Sequence, residues 1–166
     1  MPRTRLFLKL ASLFALAALA FAVAAVADHG RRHEGEGAKL LRSTLAPSMP
    51  TDPAFHGVTP GGVPWRLNRG AVRIERSGEF DLRVDGLVIP SLGNAGPVKT
   101  ISASLYCGAD ANATAAATTQ QVPLSSDGDA RIHARVTLPA ACLAPIVLVH
   151  PNGVAARYIA VTGWRS

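Results

Sequence analysis

Cysteine is nearly absent. The 166 residues hold two, Cys107 in "ISASLYCGADANAT" and Cys142 in "LPAACLAPIVLV". No C-x-x-C pair exists, which excludes a dithiol redox motif. No histidine lies close in sequence to either thiol, and Asp110 would discourage a thiolate at Cys107. The immediate neighbours Leu105, Tyr106, Ala141 and Leu143 are mostly apolar, whereas a reactive thiol needs an electropositive, partly exposed setting. Lysine is also scarce: only Lys9, Lys39 and Lys99 occur, while arginine, alanine, glycine and proline are abundant. That bias reads as the coding habit of a high-GC genome. No G-x-S-x-G elbow surrounds any serine, so a hydrolase of that type has no support. No long apolar run follows the one at the N-terminus, and no cysteine follows that run closely, which argues against a lipoprotein anchor.

The opening stretch "MPRTRLFLKLASLFALAALAFAVAAVADHG" carries an export pattern. Arg3, Arg5 and Lys9 supply a positive start, an apolar run extends from Leu10 to Val26, and Ala25-Val26-Ala27 offers an A-x-A cleavage site before Asp28. Ala22-Val23-Ala24 offers a second cut. An uncleaved anchor helix is the competing reading, but the run is Ala-rich and slightly short of the ~20 apolar residues that span a bilayer. Residues 1–27 are therefore expected to be a signal peptide. The whole chain carries a formal charge of +6, and three of the basic residues belong to that segment. The remainder is only weakly basic, its charges spread along the sequence, so nucleic-acid binding gains no support. In an exported chain two cysteines favour a disulfide, because the destination is oxidising. We expect Cys107 and Cys142 to be joined, at ~3–4 kcal/mol by the loop-entropy model.

Residues 28–64 differ in character from the rest of the chain. "DHGRRHEGEG" is charged and glycine-rich, "GAKLLRSTLAP" could form one or two helical turns, and five prolines follow between Pro47 and Pro64. Proline cannot donate to a sheet ladder and glycine raises the entropy cost of ordering. The stretch reads as a flexible leader, with the domain over residues 65–166.

From Trp65 onward the hydrophobic period is two. Phe80, Leu82 and Val84 alternate with Asp81, Arg83 and Asp85. Ile132, Ala134 and Val136 alternate with Arg131, His133 and Arg135. Ile101, Ala103, Leu105 and Cys107 share one face. Such alternation marks half-buried antiparallel strands. We place them near 71–76, 79–89, 98–107, 118–124, 129–138, 145–150 and 155–163, separated by turn signals such as Ser77-Gly78 and Asp127-Gly128. In the first hairpin Ile74 should oppose Phe80, and Val72 should oppose Leu82. This leaves Arg76-Ser77-Gly78 as a three-residue loop with glycine at its left-handed position. "IVLV" from Ile146 to Val149 is apolar on both faces, as in a central strand covered from both sides. The fold expected is all-β, an immunoglobulin-like two-layer sandwich of about seven strands, with a small barrel as the alternative.

Candidate sites are few. His29 and His33 with Glu34 and Glu36 could hold copper or zinc, but Gly30, Gly35 and Gly37 argue against the helix that would preform a site. "DANAT" mimics the start of a calcium loop but has Ala115 and Gln121 where glycine and a bidentate glutamate belong. Asn112-Ala113-Thr114 is also a glycosylation sequon, idle in a bacterial source. Asp127 and Asp129 flank a turn glycine. Ser125 or Ser126 with Asp129 and His133 resembles a hydrolytic trio only by proximity in sequence. His133 with Arg131 and Arg135 forms a solvated face or a cationic recognition surface. Trp65 and Trp164 read as core plugs.

"WRLNRGAVRIERSGEFDLRVDGLVIP", "SLYCG", "GDARIHARVTLPAACLAPIVLVHP" and "RYIAVTGW" together resemble small secreted β-rich proteins of actinobacterial type, over roughly Trp65 to Trp164. The resemblance implies export and a β-rich domain and carries no active-site residues. The expectation is a secreted, non-enzymatic binding or structural module of the cell envelope or medium, without cofactor, bound metal or catalytic residues. Its partner would be a protein or envelope component, met at loops 108–120 and 90–97. An extracytoplasmic metal carrier and a membrane-tethered module with a retained signal are the alternatives.

Overall fold

Residues 38–165 are described by the structure, a computed structural model. The expected signal peptide and the first part of the leader lie outside these residues. All regular structure in the described residues is β, with no helix. The strands are β1 Lys39–Pro47, β2 Thr59–Pro60, β3 Arg69–Glu75, β4 Glu79–Asp85, β5 Thr100–Tyr106, β6 Ala117–Thr118, β7 Val122–Pro123, β8 Ala130–Arg135, β9 Ile146–Pro151, β10 Arg157–Tyr158 and β11 Ala160–Thr162. Nine of them build one curled antiparallel sheet in the order β6-β5-β9-β11-β1-β3-β4-β8, with β7 also on β5, while β2 and β10 make a small parallel pair.

The β3–β4 hairpin has the expected register, Ile74 opposite Phe80 and Val72 opposite Leu82. Gly78 adopts φ +89°, and a Cβ there would stand 2.1 Å from the Val136 carbonyl oxygen. Any other residue would be strained by its backbone and would also collide with β8's continuation.

The flexible leader and its helical turns are corrected by β1. Lys39–Pro47, ahead of Trp65, is a strand rather than part of a flexible leader or helical turns. Residues 39–46 contain no proline, and Leu41, Ser43 and Leu45 alternate with Arg42 and Thr44. The first part of β1 pairs with β3 and its last three residues pair with β11, so this strand joins the two halves of the sheet. The prolines begin where it ends. Local helix propensity gave way because two sheet edges needed a common partner.

Residues of both halves meet in one core. Val72, Ile74, Phe80, Leu82, Val84 and Ile132 pack with Ile101, Ala103, Leu105, Val147 and Val149. The segment after β1 crosses the other face of the β5–β9–β11 half and covers a second cluster of Ala46, Val58, Tyr106, Leu148, Tyr158 and Val161. Tyr158 Oη donates to the Pro53 carbonyl at 2.8 Å, and His56 stacks on Tyr106 with ring centres 4.9 Å apart. Hence "IVLV" is buried on both faces, Val147 and Val149 towards the main core and Leu148 towards the crossing segment.

The single strand expected at 118–124 is split. Thr119 puts its hydroxyl oxygen where a ladder carbonyl would stand and accepts from Ala103 N at 3.0 Å, so β6 and β7 flank a bulge on the same edge of β5.

Candidate recognition face

Period-two alternation sends the charged side chains of β1, β3, β4 and β8 to the face away from the main core. Arg42 lies opposite Arg73, Arg73 opposite Asp81, and Asp81 opposite His133. Arg83 lies opposite Arg131, Glu79 opposite Arg135, Arg69 opposite Asp85, and Lys39 opposite Glu75. Basic residues outnumber the four carboxylates of Glu75, Glu79, Asp81 and Asp85. Arginines dispersed along the sequence are thus gathered on one surface by strand register.

Two of these oppositions, Arg42 with Arg73 and Arg83 with Arg131, set like charges directly across a ladder, which destabilises a sheet. Relief comes along the strand: Arg73 pairs with Glu75, and Arg83 Nε donates to Asp85 Oδ1 at 2.8 Å. Arg42, Arg69, Arg131 and Arg135 have no carboxylate at ion-pair distance among the described residues. Their charge is left for solvent or a partner.

His133 meets Asp81 at Nδ1···Oδ1 2.5 Å. That hydrogen bond, then the charge of Asp81, raises the imidazole above its usual 6.5, and Glu79 adds to it. Glu79, Asp81 and His133 each offer a ligand atom, all within 4.8 Å of one another. Two carboxylates and an imidazole suit a zinc-like ion, although arginines border the group. The sequence placed His133 on an outward face without a partner; only the β4–β8 register supplies Asp81 and Glu79.

The other candidates resolve into structure. Asp129 Oδ1 accepts from Gly86 N at 2.8 Å, and Ser125 Oγ accepts from Asp129 N at 2.9 Å. Both groups are committed to a turn, while His133 is held by Asp81 on β4, so no hydrolytic trio forms. Gly128 between the two aspartates has φ +83° and leaves no room for a Cβ, which would lie 2.4 Å from Leu87 backbone atoms. In "DANAT", Asp110 Oδ1 accepts from Asn112 N, and its carbonyl oxygen bonds His56 Nδ1 at 2.7 Å. This closes a small loop. Trp65 is a core plug at 4% exposure, but Trp164 is 80% exposed. It follows the last residues paired with β1, where no strand covers it. His29 and His33 lie outside the described residues.

Cys107 and Cys142 form a disulfide, with Cα atoms 5.0 Å apart, tying the end of β5 to the connection before β9. A closed structural bridge is the state favoured by an oxidising compartment.

His150 on β9 is 1% exposed. Its Nδ1 donates to the Arg157 carbonyl at 2.7 Å, and Nε2 has no hydrogen-bond partner among the described residues. Burial lowers its pKa below 6.5, outweighing that hydrogen bond. The sign follows: the unfolded chain takes up a proton near 6.5 while the folded chain resists it. Stability is therefore full above that pH and declines as pH falls below it. Exposed His133 has the opposite tendency, since its raised pKa favours the folded state at low pH, but solvent screens it. Urea unfolding from pH 8 to 5 should show falling stability, and His150→Asn, which keeps a donor for the Arg157 carbonyl, should flatten the decline. An unchanged slope in the variant would assign the effect elsewhere.

The chain matches no protein-family model, no curated protein and no solved structure.

Proposed function

We propose that this protein is a secreted, non-enzymatic binding module of the cell envelope or its surroundings, folded as an immunoglobulin-like two-layer sandwich. It holds anionic partners on the outer face of β1, β3, β4 and β8. The observation that carries this reading is the pair of directly opposed arginines, Arg42 with Arg73 and Arg83 with Arg131. In each opposition one arginine, Arg73 or Arg83, is answered by a carboxylate on its own strand, while the other, Arg42 or Arg131, keeps a charge that an anion lying over the face would meet. The disulfide supports an extracytoplasmic destination.

Titration of the full chain with dextran sulfate tests the proposal. Binding should weaken steeply with salt, as contacts between exposed charges do. Arg131→Gln with Arg135→Gln should weaken it by about tenfold, or ~1.4 kcal/mol, whereas Arg157→Gln with Arg165→Gln, on β10 and beyond β11, where the side chains meet the Pro60 carbonyl and Asp52, should change it little. Acidification should tighten binding as His133 gains its proton, because its raised pKa places that step above 6.5. Equal losses from both double variants would sink the assignment. A second reading rests on the convergence of Glu79, Asp81 and His133, which suits an extracytoplasmic zinc or copper protein. Retention that appears only with added zinc and is lost in Glu79→Gln would favour it.

A further inference from the structure

A separate feature lies where the chain crosses between the small parallel pair and the turn after β4. The β2–β10 pairing, with Gly61 N donating to the Tyr158 carbonyl at 2.8 Å, brings residues 61–65 against Arg157 and Ile159. The paired bonds between Arg66 and Val88 set Trp65 beside Ile89. Between these segments opens a cleft of about 340 Å³, at the small end of the range of ligand sites. Val63, Trp65, Ile89, Val98 and Ile159 give it nearly continuous apolar walls, and Arg157 is the one charged residue lining it.

Two glycines shape the opening. A Cβ on Gly61 would stand 3.2 Å from Trp65 Nε1 and 3.4 Å from Ile159 Cγ2, so the backbone lies against the wall there. A Cβ on Gly62 would meet nothing within 4 Å; this position borders the open space. Two donors remain underused. Arg157 Nη1 donates to the Pro60 carbonyl at 3.2 Å, which leaves most of the guanidinium N–H groups available. The Trp65 indole N–H, next to Gly61, makes no hydrogen bond among the described residues although the residue is 4% exposed. A buried ring of this kind offers no face for stacking on a sugar; it offers an edge and a donor.

We infer that the cleft is a binding site for a small amphiphilic monocarboxylate. The apolar body lies against Val63, Ile89, Val98 and Ile159, and the carboxylate meets Arg157. Apolar walls exclude a heavily hydrated ligand, and the single cation among the lining residues selects an anionic head over a neutral or cationic one. The site is independent of the arginine-bearing face, and neither stands or falls with the other.

Fluorescence reads it directly. The chain has two tryptophans, so Trp164→Phe, at an exposed position, leaves Trp65 as the only reporter and makes any binding elsewhere on the full chain silent. Decanoate is the probe, with decanol and decyltrimethylammonium as head-group controls below their micellar concentrations. Decanoate should shift the Trp65 emission saturably, and both controls should bind at least tenfold more weakly. Gly62→Leu, whose Cβ meets nothing within 4 Å and whose side chain would occupy the opening, should abolish the shift. Arg157→Gln should weaken it by roughly tenfold, the scale of a hydrogen bond to a charged group. The unfolding midpoint of each variant shows whether it has folded, and Arg157→Gln serves if Gly62→Leu has not. No saturable shift in the Trp164→Phe protein, decanol binding as tightly as decanoate, or decanoate binding that survives the substitutions would overturn the inference.

Discussion

Opening the Cys107–Cys142 bridge is expected to remove about 4 kcal/mol of stability and to lower the melting temperature by on the order of 10–15 °C. The bridge spans a sequence separation of 35 residues and encloses β6, β7 and β8. In the unfolded chain it forbids most of the separations that these residues would otherwise explore. In the folded chain it fixes the end of β5 beside the connection into β9, where Gly108 N also donates to the Leu143 carbonyl at 2.6 Å. Guanidinium unfolding of the oxidised protein, the reduced protein and the Cys107→Ala/Cys142→Ala variant measures the effect. The variant and the reduced protein should agree, both unfolding at lower denaturant. A change below about 1 kcal/mol would mean that the unfolded chain is already restricted without the bridge.

Phe80→Ala should destabilise by about 3–5 kcal/mol, the range for emptying a large aromatic site that cannot collapse. Phe80 is fully buried and lies between Ile74 on β3 and Ala134 on β8. It belongs to the same core as Ile101, Leu105 and Val147 from the other half of the sheet. The cavity would open between the halves, where the backbone of each is held by its own ladder and cannot move in to fill it. Leu143→Ala provides the contrast: Leu143 is 78% exposed, and its truncation should stay within about 0.5 kcal/mol. Equilibrium unfolding in urea distinguishes the two. A Phe80→Ala loss as small as that of Leu143→Ala would show that the halves do not close over one core.

Much of the β3–β4–β8 half is legible in the chain because its information is local. In 72–84 the greasy and polar residues alternate through a hairpin whose loop ends in a glycine that must be left-handed, so the pairing can be written down from the residues alone. The doubly apolar run at Ile146–Val149 announces a strand covered from both sides. The two cysteines, lacking any activating neighbour, announce a bridge. Lys39–Pro47 escapes such a reading because the prolines behind it dominate the composition. Its alternation of Leu41, Ser43 and Leu45 is too short to outweigh them, and its role depends on two edges supplied from 69–75 and 160–162. Trp164 escapes it because the average burial of tryptophan says nothing about whether a neighbouring strand reaches it.

The amino-acid sequence by itself determined the β character, the first hairpin with its register, and the pairing of the two cysteines, since each depends on residues a few positions apart or on there being only one choice. Tertiary structure alone decided that β1 joins two half-sheets, that scattered arginines share a face with His133 and its carboxylates, and that Gly62, Trp65 and Arg157 border one cleft. Those relations are set by which strands become neighbours across long stretches of chain. That choice is made by the burial of the whole core, not by any local rhythm of side chains.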